Sequence, residues 1–354
     1  MTLRLGTEDT STRSELLSVR HRRGLAALAM AALMVPSLAF SAPVLAKPLP
    51  PPAASCADPV TSAPTGRATV SAAKSAFGKV LVIGSGAYTG CSLYLLTSDE
   101  LNALHGDPFA CSDGSNAIGA PCDTVLWPAL LTDGPPRAGH GVDPRLLGTV
   151  TRTDLPGLPA VQQVTYGGFP LYRFFLDEVP GETDGANLFD PVTSPTGIWY
   201  LVDPSRGQPA PGRARLDLET APVNGGSDAT VLAVSMDHGF VLLPDGDFPV
   251  YTLSTDRRHG HSERACVGDC AAVYWPPVLT SGRPEAGPGV DRHALGTIDR
   301  PDGSQQVTYH GHPLYLFFGD AYIPTLPYNG GVAGINGAGL NTPWGVFNTI
   351  PPLP

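Results

Sequence analysis

The feature that most constrains this chain is that it repeats itself. Cys122-DTVL-Trp127-Pro128 matches Cys270-AAVY-Trp275-Pro276, and Gly141-Val142-Asp143 with Leu147-Gly148-Thr149 matches Gly289-Val290-Asp291 with Leu295-Gly296-Thr297. QQVTYGGFPLYRFFLD, ending at Asp177, matches QQVTYHGHPLYLFFGD, ending at Asp320, and Trp199 in TGIWYLV answers Trp344 in TPWGVFN. A period of this length means tandem copies of one domain rather than a single large core. The copies are expected at 75–204 and 228–354, joined by a Pro-, Gly- and charge-rich linker at 205–227.

A smaller motif recurs inside each copy. Tyr94-x-Leu96-x-x-Asp99 and Tyr172-x-Phe174-x-x-Asp177 lie in the first, and Tyr251-x-Leu253-x-x-Asp256 and Tyr315-x-Phe317-x-x-Asp320 lie in the second. Four occurrences in register make each domain a pair of related halves. The motif reads as a strand, with side chains two apart on one face. Around Gly167-Gly168 and His310-Gly311, β-rich runs flank a two-residue loop, which signals a hairpin with a positive-φ turn. VLLPDGDFPVYTL reads as another hairpin turning at Asp245-Gly246. Gly 41 and Pro 38 argue against a helical bundle and for short strands joined by many turns. The expected fold class is mainly β: two tandem antiparallel, hairpin-rich domains, as sandwich, barrel or small propeller-like array.

With these motifs the chain resembles a bacterial family of secreted repeat proteins, often described as predicted lipoproteins, that carries a Y-x-[FWY]-x-x-D motif. Tyr172/Phe174/Asp177 and Tyr315/Phe317/Asp320 match in full, whereas Leu96 and Leu253 replace the motif aromatic. Cys266-x-x-x-Cys270-AAVY-Trp275-Pro276-Pro277 also resembles the family's cysteine and tryptophan segment. The resemblance covers two tandem copies and implies an envelope location and a repeat architecture. It brings no activity with it.

The N-terminus reads as an address. Arg20, Arg22 and Arg23 precede an apolar run from Gly24 to Phe40, and Val44-Leu45-Ala46 offers a small-residue cleavage site. Residues 1–46 are therefore expected to be a signal peptide, with Arg22-Arg23 resembling a twin-arginine signal, and 47–74 a Pro/Ala-rich disordered or linker segment. The expected location is secreted or periplasmic, with no membrane span after cleavage; Ala53 in place of the lipobox Leu before Cys56 argues against a lipid anchor. Five of the 22 basic and three of the 32 acidic residues fall in 1–46, leaving 17 against 29, a formal charge of −12. Nucleic acid is accordingly not an expected partner. The expected partner is an envelope or extracellular component of unknown identity.

Six cysteines in an oxidising compartment point to disulfides, with fifteen possible pairings. The repeat narrows these to Cys266–Cys270, its stretched counterpart Cys111–Cys122, and Cys56–Cys91 by exclusion. His259-Gly-His261 and His310-Gly-His312 offer a candidate metal site, because four imidazoles meeting at one point would suit copper or zinc. Otherwise they are polar turn residues, and no cofactor is expected. The motif aspartates 99, 177, 256 and 320 read as turn-closing acceptors of backbone N–H bonds. Asp177, Glu178, Glu182 and Asp184 could alternatively gather calcium, but not with EF-hand spacing. Motif aromatics at period two read as core rather than as a stacking platform for a ligand. Trp127, Trp199, Trp275 and Trp344 read as structural.

None of the common hydrolase, phosphate-loop or dinucleotide signatures occurs. The expectation is a non-enzymatic exported binding or scaffolding protein of unknown ligand. The alternatives are a metal-binding or redox accessory protein using the second domain's His pairs, and a hydrolase with Asp177, Glu182 and Trp199 lining its cleft.

Overall fold

In a computed structural model, the described residues are 54–99, 109–112, 120–190, 197–224, 226–236, 246–258, 266–268, 270–320 and 334–351. They form short strands in six sheets of three or four strands, antiparallel apart from two short parallel registers, and no closed barrel. The result is a mainly β, sandwich-like stack of small sheets.

Both copies are wired alike. In the first, Thr69–Ser75 pairs antiparallel with Gly78–Ile83 and parallel with Arg137–Ala138. In the second, Arg215–Pro222 pairs antiparallel with Asp228–Met236 and parallel with Glu285–Ala286. Val161–Tyr166 lies between Leu147–Arg152 and Phe169–Pro170, just as Gln305–Tyr309 lies between Leu295–Asp299 and His312–Pro313. Tyr94–Leu96 pairs with Gly197–Leu201, and Tyr251–Leu253 with Gly345–Thr349.

Two expected linkers contain strands. Residues 215–222, within 205–227, are the first strand of the second copy, and Thr69–Ser75 begins within 47–74. The equivalence is exact to the hydrogen bond: Ala68 O accepts Arg137 N at 2.8 Å, and Ala214 O accepts Glu285 N at 2.8 Å. Farther upstream, Cys56 is buried and joined to Cys91, so part of 47–74 is fixed to the domain.

The hairpin turns follow from their residues. Gly167 and Gly168 have φ of +59° and +93°, and His310 and Gly311 have +48° and +81°, the left-handed pair that a two-residue primed turn requires. Asp245, the expected first turn residue of the remaining hairpin, lies outside the described residues; its neighbour Gly246 begins the strand Gly246–Pro249.

Residues 52–354 form one compact unit. Each copy keeps an aromatic core of its own, around Trp127 and around Trp275. A third cluster joins Leu171, Phe189 and Tyr200 of the first copy to Leu216, Val250 and Val278 of the second. Phe189 and Phe248 stack across this shared core at 6.3 Å.

Candidate functional site

Within each copy the two motif strands meet at their tyrosines. Tyr94 and Tyr172 exchange backbone N–H···O bonds of 2.9 and 3.0 Å, and Tyr251 and Tyr315 exchange bonds of 2.8 and 2.9 Å. The spacing then carries each tyrosine across to the other motif's aspartate. Tyr94 Oη donates to Asp177 at 2.7 Å and Tyr172 Oη to Asp99 at 2.9 Å. In the second copy Tyr251 donates to Asp320 at 2.6 Å and Tyr315 to Asp256 at 2.7 Å. All eight side chains are buried. The four motifs thus form two reciprocal clasps.

The carboxylates also pin distant backbone. Asp99 accepts Ala110 N at 2.8 Å, Asp177 accepts Asp184 N at 2.9 Å, and Asp320 accepts Asn336 N at 2.7 Å. Burial pushes the carboxyls up, to about 6 for Asp99, about 7 for Asp177 and about 8 for Asp320, against the opposing pull of these hydrogen bonds. Burial and the adjacent carboxylates raise the partner phenols as well. Such perturbed groups are what a catalytic cleft would use. Here they are closed on one another inside the core.

The motif aromatics are core residues. Trp127 lies between Trp199 at 3.8 Å and Phe174 at 4.3 Å, and Trp275 lies between Phe347 at 3.6 Å and Phe317 at 4.4 Å. The expected match of Trp199 with Trp344 is therefore corrected: Phe347 holds the equivalent place, opposite Leu253 as Trp199 is opposite Leu96. Trp344 is partly exposed, with its ring 6.2 Å from Tyr274.

Disulfides join Cys56–Cys91, Cys111–Cys122 and Cys266–Cys270. The calcium candidates are engaged locally, with Glu182 accepting the N–H groups of Glu178 and Val179 and Asp177 accepting Asp184 N. His310 and His312 sit at the hairpin turn, whereas His259 and His261 lie outside the described residues. Among the described residues, no group of three or more His, Cys, Asp or Glu could hold a metal ion.

The sequence reading missed three buried arginines, Arg152, Arg173 and Arg300, and a cleft of about 280 Å³ between the copies. Phe169 and Tyr200 of the first copy face Ala271, Pro276, Leu279 and Arg300 of the second across it. For Arg152 and Arg300, a basic residue at or just after the end of the strand before QQVTY, in both copies, was the available signal. No described helix is long and apolar enough to cross a membrane.

Residues 296–324 match a family described as a secreted repeat of unknown function. The matched segment holds one motif of the second copy, Tyr315/Phe317/Asp320. No curated protein and no solved structure matches the chain. Three disulfides together with the secreted-repeat match point to an extracellular or periplasmic compartment.

Proposed function

We propose that this protein is an exported, non-catalytic binding or scaffolding module of the cell envelope, in which two diverged copies of the secreted repeat are fused around a shared core. The observation that carries the reading is the pair of clasps: the duplicated ionisable residues are spent on holding strands together. Among the concavities of the described residues is the cleft between the copies, and such a junction is a common location for ligand sites. Matching strand pairings in the two halves support the view that the first copy belongs to the same repeat family as the second.

The test is a screen of the folded protein against chromogenic esters, glycosides and peptides, with thermal stability read alongside. Stabilisation by a ligand without turnover is expected. Turnover abolished by Asp177→Asn or Asp320→Asn, in variants that remain folded, would overturn the reading.

A second reading, offered by the sequence, is a copper or zinc site on the two His pairs, of which His259 and His261 lie outside the described residues. Metal titration of the wild type beside a variant with His259, His261, His310 and His312 all changed to Ala decides it. Stoichiometric metal lost in the variant supports the site, and equal metal in both proteins rules it out.

A further inference from the structure

Arg152 and Arg300 occupy the same place in the two copies, yet their surroundings differ. Arg152 donates Nη1 to Gln163 at 2.7 Å, and Nε and Nη2 to Asp154, each at 2.7 Å. Its Nη2 also meets the buried Asp123, and its guanidinium lies 3.8 Å from the centre of the Phe109 ring. The whole guanidinium is answered.

Arg300 keeps only part of this set. Its Nη1 donates to Gln306 at 2.7 Å and its Nη2 reaches Cys266 O at 3.5 Å. Its Nε has no hydrogen-bond partner among the described residues, and the nearest carboxylate oxygen, on Asp302, is 3.7 Å away. Asp302 corresponds to Asp154 but turns aside, taking Ser304 N at 2.8 Å and Ser304 Oγ at 2.6 Å on its other oxygen. Asp123 corresponds to Ala271, which has no carboxylate at all.

Arg300 is only 7% exposed, and both it and Ala271 line the cleft between the copies. A guanidinium with an unanswered N–H inside a protein is costly, and its Nε/Nη2 edge has the shape that receives a carboxylate through two parallel bonds. The remaining walls are largely apolar, among them Phe169, Ile198, Pro276 and Leu279. Tyr200 closes the same space, and the charge of Arg300 is felt at its phenol.

We propose that this cleft binds a small organic carboxylate with an apolar body, whose carboxylate takes on Arg300 the Nε/Nη2 edge that Asp154 holds on Arg152, in the room that Ala271 leaves in place of Asp123. The proposal deepens the binding reading and rests on it. The first copy closes its arginine with two carboxylates of its own; the second lacks one of them and turns the other aside. Asp302 stands at the rim, with its side chain 45% exposed, and its long contact to Arg300 is the one that the ligand displaces.

The test uses hexanoate and hydrocinnamate, with hexanamide and hydrocinnamamide as uncharged controls, and reads thermal shift and calorimetric binding on the oxidised protein. Saturable binding of an acid but not of its amide is expected. Ala271→Asp restores the first copy's internal carboxylate and is expected to fold while weakening acid binding by about tenfold or more. Arg300→Gln is expected to lose it likewise; if that variant fails to fold, Ala271→Asp still decides. Equal response to acid and amide, no response of the wild type to either acid, or undiminished acid binding in Ala271→Asp would each overturn the proposal. None of these results bears on the turnover screen, so the two readings fail separately.

Discussion

At the scale of single residues, the clasps make pH a probe of structure. Asp99, Asp177 and Asp320 have native carboxyls raised to about 6, 7 and 8, against 3.8 as the ordinary value. Between pH 4 and 8 the native state therefore holds more protons than the unfolded chain, and stability falls as pH rises. Urea midpoints should be highest near pH 4 to 5 and decline toward pH 8, and Asp320→Asn should flatten the upper part of that decline. A midpoint that rises over this window would contradict the buried clasp. Tyr251→Phe leaves the Asp320 carboxyl without its phenol and should cost about 1–3 kcal/mol by chemical denaturation. Gly337 presses on Trp275 and Tyr251, where an added Cβ would stand 2.8 Å from each ring, and Gly185 presses in the same way on Trp127 and Phe174. Gly337→Ala should cost about 1–3 kcal/mol through overpacking. The motif itself was legible in sequence, because its Tyr and Asp recur at fixed spacing. The crossing of the pairs was not: Tyr94 and Asp177 are 83 residues apart, and only the meeting of the two strands brings them together.

At the scale of elements, the hairpins were readable because a two-residue turn demands positive φ, and Gly167-Gly168 and His310-Gly311 announce it. His310 is the one non-glycine residue among these four turn positions. His310→Gly should stabilise the second copy by up to about 1 kcal/mol by removing the left-handed penalty, read as a raised Tm at pH 7. The strand Arg215–Pro222 escaped because Arg215, Asp217 and Glu219 give it a linker's composition, while only Leu216 is fully buried. A parallel partner of two residues, Glu285–Ala286, supplies the rest of its definition from 70 positions away. One signal was present, since Gly66-Arg67-Ala68 and Gly212-Arg213-Ala214 stand at the same point of the two copies. Trp344 misled for a related reason: matching by residue type overlooked register, since Phe347, opposite Leu253 as Trp199 is opposite Leu96, is the residue that stacks on Trp275.

At the scale of the molecule, the shared core makes the copies interdependent. Calorimetry of the oxidised protein should give a single unfolding transition, and a chain cut before Gly212 should leave neither half with native cooperativity. Two resolved transitions would instead mean that the copies are thermodynamically separate. Cys56–Cys91 spans 35 positions and Cys266–Cys270 only 4. On the loop-closure account, replacing the first pair by Ser should cost about 2 kcal/mol more than replacing the second.

The crossed pairing also bears on what counts as one unit of this architecture. Residues 296–324, the stretch that sequence comparison recognises, contain a phenol and a carboxyl whose mates lie at Asp256 and Tyr251. The recognised segment therefore has a valence of two and satisfies none of it internally. Shortening or shuffling such a protein one segment at a time strands a buried donor and a buried acceptor at each step, so segments must be gained and lost in pairs. A chain left with an odd segment has one economical remedy, which is to complete the clasp with the odd segment of a second chain.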